Sequence, residues 1–123
     1  MQIYILLACD RLEDDQEKRL RTHLPEIKQA LQAYADEQDL ALLKLIDESD
    51  SEHCDDWQIG IEQPIKKSKQ LLTPVNFFND LGKKFKLDFE IGSVIDGERE
   101  AVSYFGFEEG HGDPFMIAQY LDL

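Results

Sequence analysis

The chain has 123 residues, 42% of them apolar and 10% aromatic, and carries a formal net charge of −13. This is the length of one domain able to bury about two-thirds of its unfolded surface unaided by disulfides, and the composition is that of a globular protein rather than a disordered acidic one. Its acidity repels phosphates and anionic headgroups over roughly 8–10 Å, which disfavours nucleic acid and membranes and favours basic proteins and cations as partners.

Taken in chain order, residues 3–8 are apolar on both faces, as a central strand covered on two sides should be. Leu6-Leu7-Ala8-Cys9 has the look of a lipoprotein cleavage site. The run lacks a basic start, is shorter than the ~7–15 residues of a signal core and meets Asp10 at once, so a buried strand is the expected reading. No other segment approaches the ~20 apolar residues needed to span a bilayer. A cytoplasmic protein with Cys9 and Cys54 as free thiols is therefore expected, although a count of two also permits one disulfide. Asp10-Arg11-Leu12-Glu13 has the spacing of a helix N-terminus, and Leu20, Leu24, Ile27, Leu31 and Tyr34 continue at helical intervals to about residues 36–39. Pro25 interrupts this pattern, which predicts a kink or two consecutive helices.

Residues 40–46 read as a second strand by their length between polar flanks, and residues 47–56 as a polar loop. In the third strand, residues 57–62, Trp57, Ile59 and Ile61 share one face. Thr73-Pro74 then supplies an N-cap and a first-turn proline for a helix with a Val75, Phe78, Leu81, Phe85 stripe; Gly82 weakens it without forbidding it. Asp96-Gly97 predicts a type I′ hairpin, and simple two-residue pairing sets Ile91 opposite Val102 and Phe89 opposite Tyr104. Leu87 falls on that buried face, and Asp88 and Glu90 on the other. Finally, Asp113-Pro114 starts a short helix whose Phe115, Ile117, Ala118 and Leu121 dock on the sheet.

The order β-α-β-β-α-β-β-α over residues 1–123 predicts a single-domain α+β two-layer sandwich. Its sheet is mixed or mainly antiparallel, with about five strands and helices mainly on one face. In element order it resembles a ferredoxin-like βαββαβ unit extended by a hairpin strand and a terminal helix. That resemblance implies a fold and no function.

Charge is the most informative functional signal. Between Pro64 and Lys86 stand six lysines (Lys66, Lys67, Lys69, Lys83, Lys84 and Lys86) and one acid, Asp80, a local charge of +5 against −18 for the remainder. This basic face could contact phosphates, but no glycine-rich loop or exposed aromatic platform accompanies it, so nucleic acid is disfavoured. Self-association, lysine face to acidic face, is a simpler use of it. The acidic stretch 47–56 lacks the glycine and twelfth-position glutamate of an EF-hand, so a solvated loop or a contact for a basic partner is expected instead of a calcium site. Cys9, His53, Cys54 and His111 are zinc-ligand types without zinc-site spacing, and no metal or cofactor is expected. A thiol enzyme would need Cys9 as nucleophile with His111 and Asp113 nearby, yet Cys9 is followed by Asp10, and Cys54 by Asp55 and Asp56, which disfavour a thiolate. The glycines around His111 also serve simply as a turn ahead of the Asp113 cap.

The sequence thus favours a small acidic protein-binding module over an enzyme: an inhibitor, immunity-type protein or adaptor for a basic partner. The expected contacts are Asp50, Glu52, Asp55 and Asp56, with Trp57 as a candidate aromatic anchor that the alternation also places in the core. The alternatives are a thiol- or metal-dependent protein centred on Cys9 and His111, and a self-assembling structural protein with salt-sensitive oligomers.

Overall fold

A computed structural model describes residues 1–10 and 12–123. Five strands, β1 (Gln2–Leu7), β2 (Lys44–Glu48), β3 (Gln58–Pro64), β4 (Asp88–Ile95) and β5 (Glu98–Gly106), form one sheet in the order β2-β3-β1-β4-β5. Every neighbouring pair is antiparallel. The uniformly apolar β1 takes the centre, as expected. Helices α1 (Asp14–Gln38), α2 (Leu72–Phe85) and α3 (Pro114–Tyr120) cover one face. The result is the expected α+β sandwich, a βαββαβ unit whose outer edge is extended by β5.

Alternation divides β1 between two environments. Ile3, Ile5 and Leu7 join the main core with Ile59, Ile61, Phe78, Phe89, Ile91 and Phe105 beneath the helices, whereas Tyr4 and Leu6 meet Ile46 on the opposite face. Phe89 is central to the main core, its ring centroid 5.0 Å from that of Phe78 and 5.7 Å from that of Phe105. Gly82 permits this closeness: a Cβ there would stand 2.8 Å from the Leu87 carbonyl oxygen and 3.1 Å from the Phe89 ring.

Several expectations are corrected. Pro25 lies inside a single helix of 25 residues, with no division into two. Leu20 on one side of it and Ile27, Leu31 and Tyr34 on the other are buried together, and that burial outweighs the hydrogen bond the proline removes. The helix begins at Asp14 behind Glu13, whose N–H donates to Gln16 Oε1 at 2.8 Å, so the cap stands later than Asp10; the expected cap's Arg11 lies outside the described residues. The second strand forms at Lys44–Glu48 instead of 40–46, because residues 40–43 turn back on themselves through the Leu43 N–H to Leu40 carbonyl bond. Ahead of α2, a 3₁₀ turn at Ser68–Leu71 runs into the helix, so Pro74 falls at the third position, where its missing N–H costs nothing.

The Asp96-Gly97 turn forms with both residues at positive φ, 53° and 80°. Pairing starts in the simple register (Ile95 with Glu98, Gly92 with Ala101), but a bulge then inserts one residue, and Ile91 pairs with Ser103 and Phe89 with Phe105. The bulge sends Phe105 into the core at 2% exposure and leaves Tyr104 48% exposed, which buries the fully apolar ring of the two. In α3, Asp113 caps as expected by accepting the Phe115 N–H at 2.9 Å. Ile117, Ala118 and Leu121 are buried, while Phe115 is 67% exposed and does not dock.

Candidate functional site: an acidic end of the sheet

The antiparallel registers bring the end of β1, the starts of β3 and β4 and the ends of β2 and β5 to one end of the molecule. The first turn of α1, with Asp14, Asp15 and Glu17, arrives there too, and so does the turn bearing Glu108 and Glu109: Gln16 Nε2 donates to Glu108 Oε1 at 2.8 Å. The segment between β2 and β3 completes this end. Sequence reading had the acids of that segment but not their neighbours, which only strand order assembles.

Asp50, Glu52, Asp55 and Asp56 are all exposed, and among the described residues none of the four is in a salt bridge. Beneath them the backbone is tied down. Arg21 of α1 donates to the Glu52 carbonyl, pairs with Glu17 at 2.9 Å and sets its guanidinium 4.9 Å from the Trp57 ring centre. Trp57 Nε1 donates to the Ser51 carbonyl at 2.8 Å; the Ser51 hydroxyl donates to Asp56 Oδ2 at 3.2 Å and accepts the His53 N–H at 3.1 Å. Lys28 holds the near side through Asp47 at 3.1 Å and the Ser49 hydroxyl at 2.9 Å. Trp57, only 6% exposed, supports this segment from below.

A cleft of about 250 Å³ opens at this end of the sheet, walled by Asp10, Gln16, Asp88, Tyr104, Glu108 and Glu109. Its acids are partly committed to the fold, since Asp88 Oδ1 accepts the N–H groups of Glu108 and Glu109 at 2.9 and 3.0 Å.

No protein-family model, no curated protein and no solved structure matches this chain.

The six lysines do not form one face. Lys66, Lys67 and Lys69 precede α2 and Lys83, Lys84 and Lys86 end it, so a helix about 21 Å long separates the two groups. The second group suits the negative C-terminal end of the helix dipole. Lys84 and Lys86 also sit 5.2 and 5.9 Å from the ring centres of Phe85 and Phe107.

Cys9, His111 and Asp113 do not converge. Cys9 is buried in the same core cluster as Cys54, whereas His111 is exposed and shares with Asp113 a groove between β5 and α3 in whose wall Cys9 has no part. His111 approaches Asn79 at 3.3 Å, and Asn79 clamps the neighbouring Gly112 backbone by donating to its carbonyl at 2.9 Å and accepting its N–H at 2.8 Å. Both of those bonds are buried, so Asn79→Ala is expected to lower stability by about 1–3 kcal/mol in urea denaturation. Among the described residues no group of three His, Cys, Asp or Glu side chains is placed to hold a metal ion, and no helix is long and apolar enough to cross a membrane.

The face of the sheet away from the helices carries a network that the sequence did not signal. Arg99 of β5 reaches across to β3, pairing with Glu62 at 2.8 Å and donating to Gln58 at 2.9 Å, with its guanidinium 5.8 Å from the Tyr4 ring centre. The Tyr4 hydroxyl donates to Glu90 at 2.5 Å, and the Tyr104 hydroxyl reaches the same carboxylate at 3.3 Å. Burial first, then the Glu90 hydrogen bond and charge, push the Tyr4 hydroxyl far up; burial does the same to Tyr34, which donates to Gln63. Both groups keep their protons longer folded than unfolded, so their contribution is complete below pH ~10 and is lost as pH rises further. Urea midpoints are therefore expected to fall steeply between pH 10 and 11, and the combined Tyr4→Phe and Tyr34→Phe variant is expected to flatten that fall.

Proposed function

We infer that this chain is a protein-binding module that takes a basic protein partner at its acidic end, as an inhibitor, immunity-type protein or adaptor does. The observation that carries this reading is the pairing of exposed carboxylates at Asp50, Glu52, Asp55 and Asp56 with a backbone fixed by Arg21, Ser51 and Trp57. Pre-positioned charges lose little freedom on binding, so their attraction goes into association rate and choice of partner. Trp57 acts from beneath as a support for the segment and is not an exposed anchor. The lysines divide between the two ends of α2, and Lys83, Lys84 and Lys86, which lead into β4, lie toward the same end as the carboxylates, so the six do not offer a second copy one continuous basic surface.

The test is capture from the source lysate at low salt followed by elution in a salt gradient. A single stoichiometric basic protein leaving at moderate salt is expected. Recovery of the bait alone contradicts the reading.

A further inference from the structure

Cys9 and Cys54 lie far apart in sequence, and nothing in their spacing links them. Strand order brings them together: Cys9 follows the end of β1 at 3% exposure, and Cys54 opens the 3₁₀ turn Cys54–Asp56 at 2%. They belong to one core cluster, and each thiol lies near enough to the other to perturb its titration. Both are reduced. Linking them brings the sulfurs to the ~2.05 Å of an S–S bond and sets the two Cα atoms about 4.4–6.8 Å apart.

We propose that Cys9 and Cys54 form a reversible dithiol–disulfide pair, oxidised by a small-molecule disulfide of the glutathione class, which staples the acidic segment to the end of β1. Cys54 is the attacking sulfur. Burial, with Glu17 and Asp55, pushes the Cys54 thiol up, but Cys9 and the nearby Arg21 guanidinium oppose that push; Cys9 has no cation beside it among the described residues and is pushed up by burial, by Cys54 and by Asp10 and Asp55. The Cys54 thiolate attacks one sulfur of the small disulfide, whose S–S bond breaks to release one thiolate, which takes up a proton. Cys9 then loses its proton and attacks the Cys54 sulfur of the mixed disulfide, expelling the second small thiol. In sum, a protein dithiol and a small disulfide become a protein disulfide and two small thiols.

Access requires the segment to open, because both sulfurs are covered. Residues 49–57 are held by side-chain contacts and a single 3₁₀ turn and not by a strand ladder, so local opening costs less than global unfolding.

The reduced native protein is equilibrated in mixtures of oxidised and reduced glutathione, quenched with acid, alkylated and mapped by mass spectrometry without reduction. The expected product is a monomer containing a Cys9–Cys54 linked peptide that reverts with excess reduced glutathione, and amide exchange across residues 50–57 slows on oxidation. The equilibrium constant for forming the link is expected to be at least about tenfold larger in native buffer than in concentrated urea. Cys9→Ala should leave Cys54 as a mixed disulfide with glutathione, and Cys54→Ala should leave Cys9 unmodified. A native constant equal to the urea value, or a native product consisting only of mixed or intermolecular disulfides, overturns the proposal. The wild-type comparison decides the matter even where a variant fails to fold.

Discussion

Phe89→Ala is expected to destabilise the protein by about 3–5 kcal/mol, the range for removing a fully buried aromatic ring. Phe89 is 1% exposed and lies between the Phe78 and Phe105 rings. It therefore joins α2, β4 and β5 at the point where Gly82 lets helix and strand meet. The bulge that delivers Phe105 to this cluster prevents easy collapse, because sliding β5 to fill the hole would turn Tyr104 inward and Phe105 out. In urea denaturation the midpoint should drop with little change of slope, as expected when the folded state loses packing and the unfolded state is unaltered. A loss below about 1 kcal/mol would mean that the cluster repacks freely.

The second large effect concerns association. Replacing Asp50, Glu52, Asp55 and Asp56 together by lysine changes the net charge from −13 to −5 and reverses the sign of the exposed segment. The association rate with the captured basic partner is expected to fall by about tenfold to a thousandfold at low salt, with a flatter dependence on ionic strength. At high salt the wild-type and variant rates should converge, since screening removes steering from both. Stability should change by no more than about 1 kcal/mol, because among the described residues none of the four carboxylates is in a salt bridge and the one side-chain bond lost, from the Ser51 hydroxyl to Asp56 at 3.2 Å, is exposed. Equal rates at low salt would remove the segment from the interface.

Much of the fold was legible because local signals agreed with one another. The two-sided apolarity of β1, the Val75, Phe78, Leu81, Phe85 stripe, the Asp96-Gly97 turn and the Asp113-Pro114 cap each rest on chemistry within a few residues, and each appears as expected. Misreadings arose where distant packing decides. Pro25 stays within a helix because residues on both sides of it bury against one core. The bulge at Val102 reflects competition between Tyr104 and Phe105 for a place that pairing from the turn alone cannot see. The edge strand β2 is short because its leucines turn before they pair.

The candidate site was legible in part for the same reason. The carboxylates of residues 50–56 are visible in sequence, and so is the alternation that buries Trp57. Arg21, which fixes the segment from a helix, reads only as one more surface cation. The meeting of Cys9 with Cys54, the separation of Cys9 from His111 and the division of the lysines between the two ends of α2 all follow from strand order and helix length. No local pattern encodes them.

The most direct measurement places wild type and the four-lysine variant side by side as baits in the same low-salt lysate, with bound proteins eluted in a salt gradient and quantified by mass spectrometry. One basic protein is expected to bind stoichiometrically to wild type, to elute at moderate salt and to be depleted by about tenfold or more on the variant. The same protein retained equally by both baits, or no protein retained by either, would contradict the proposed function.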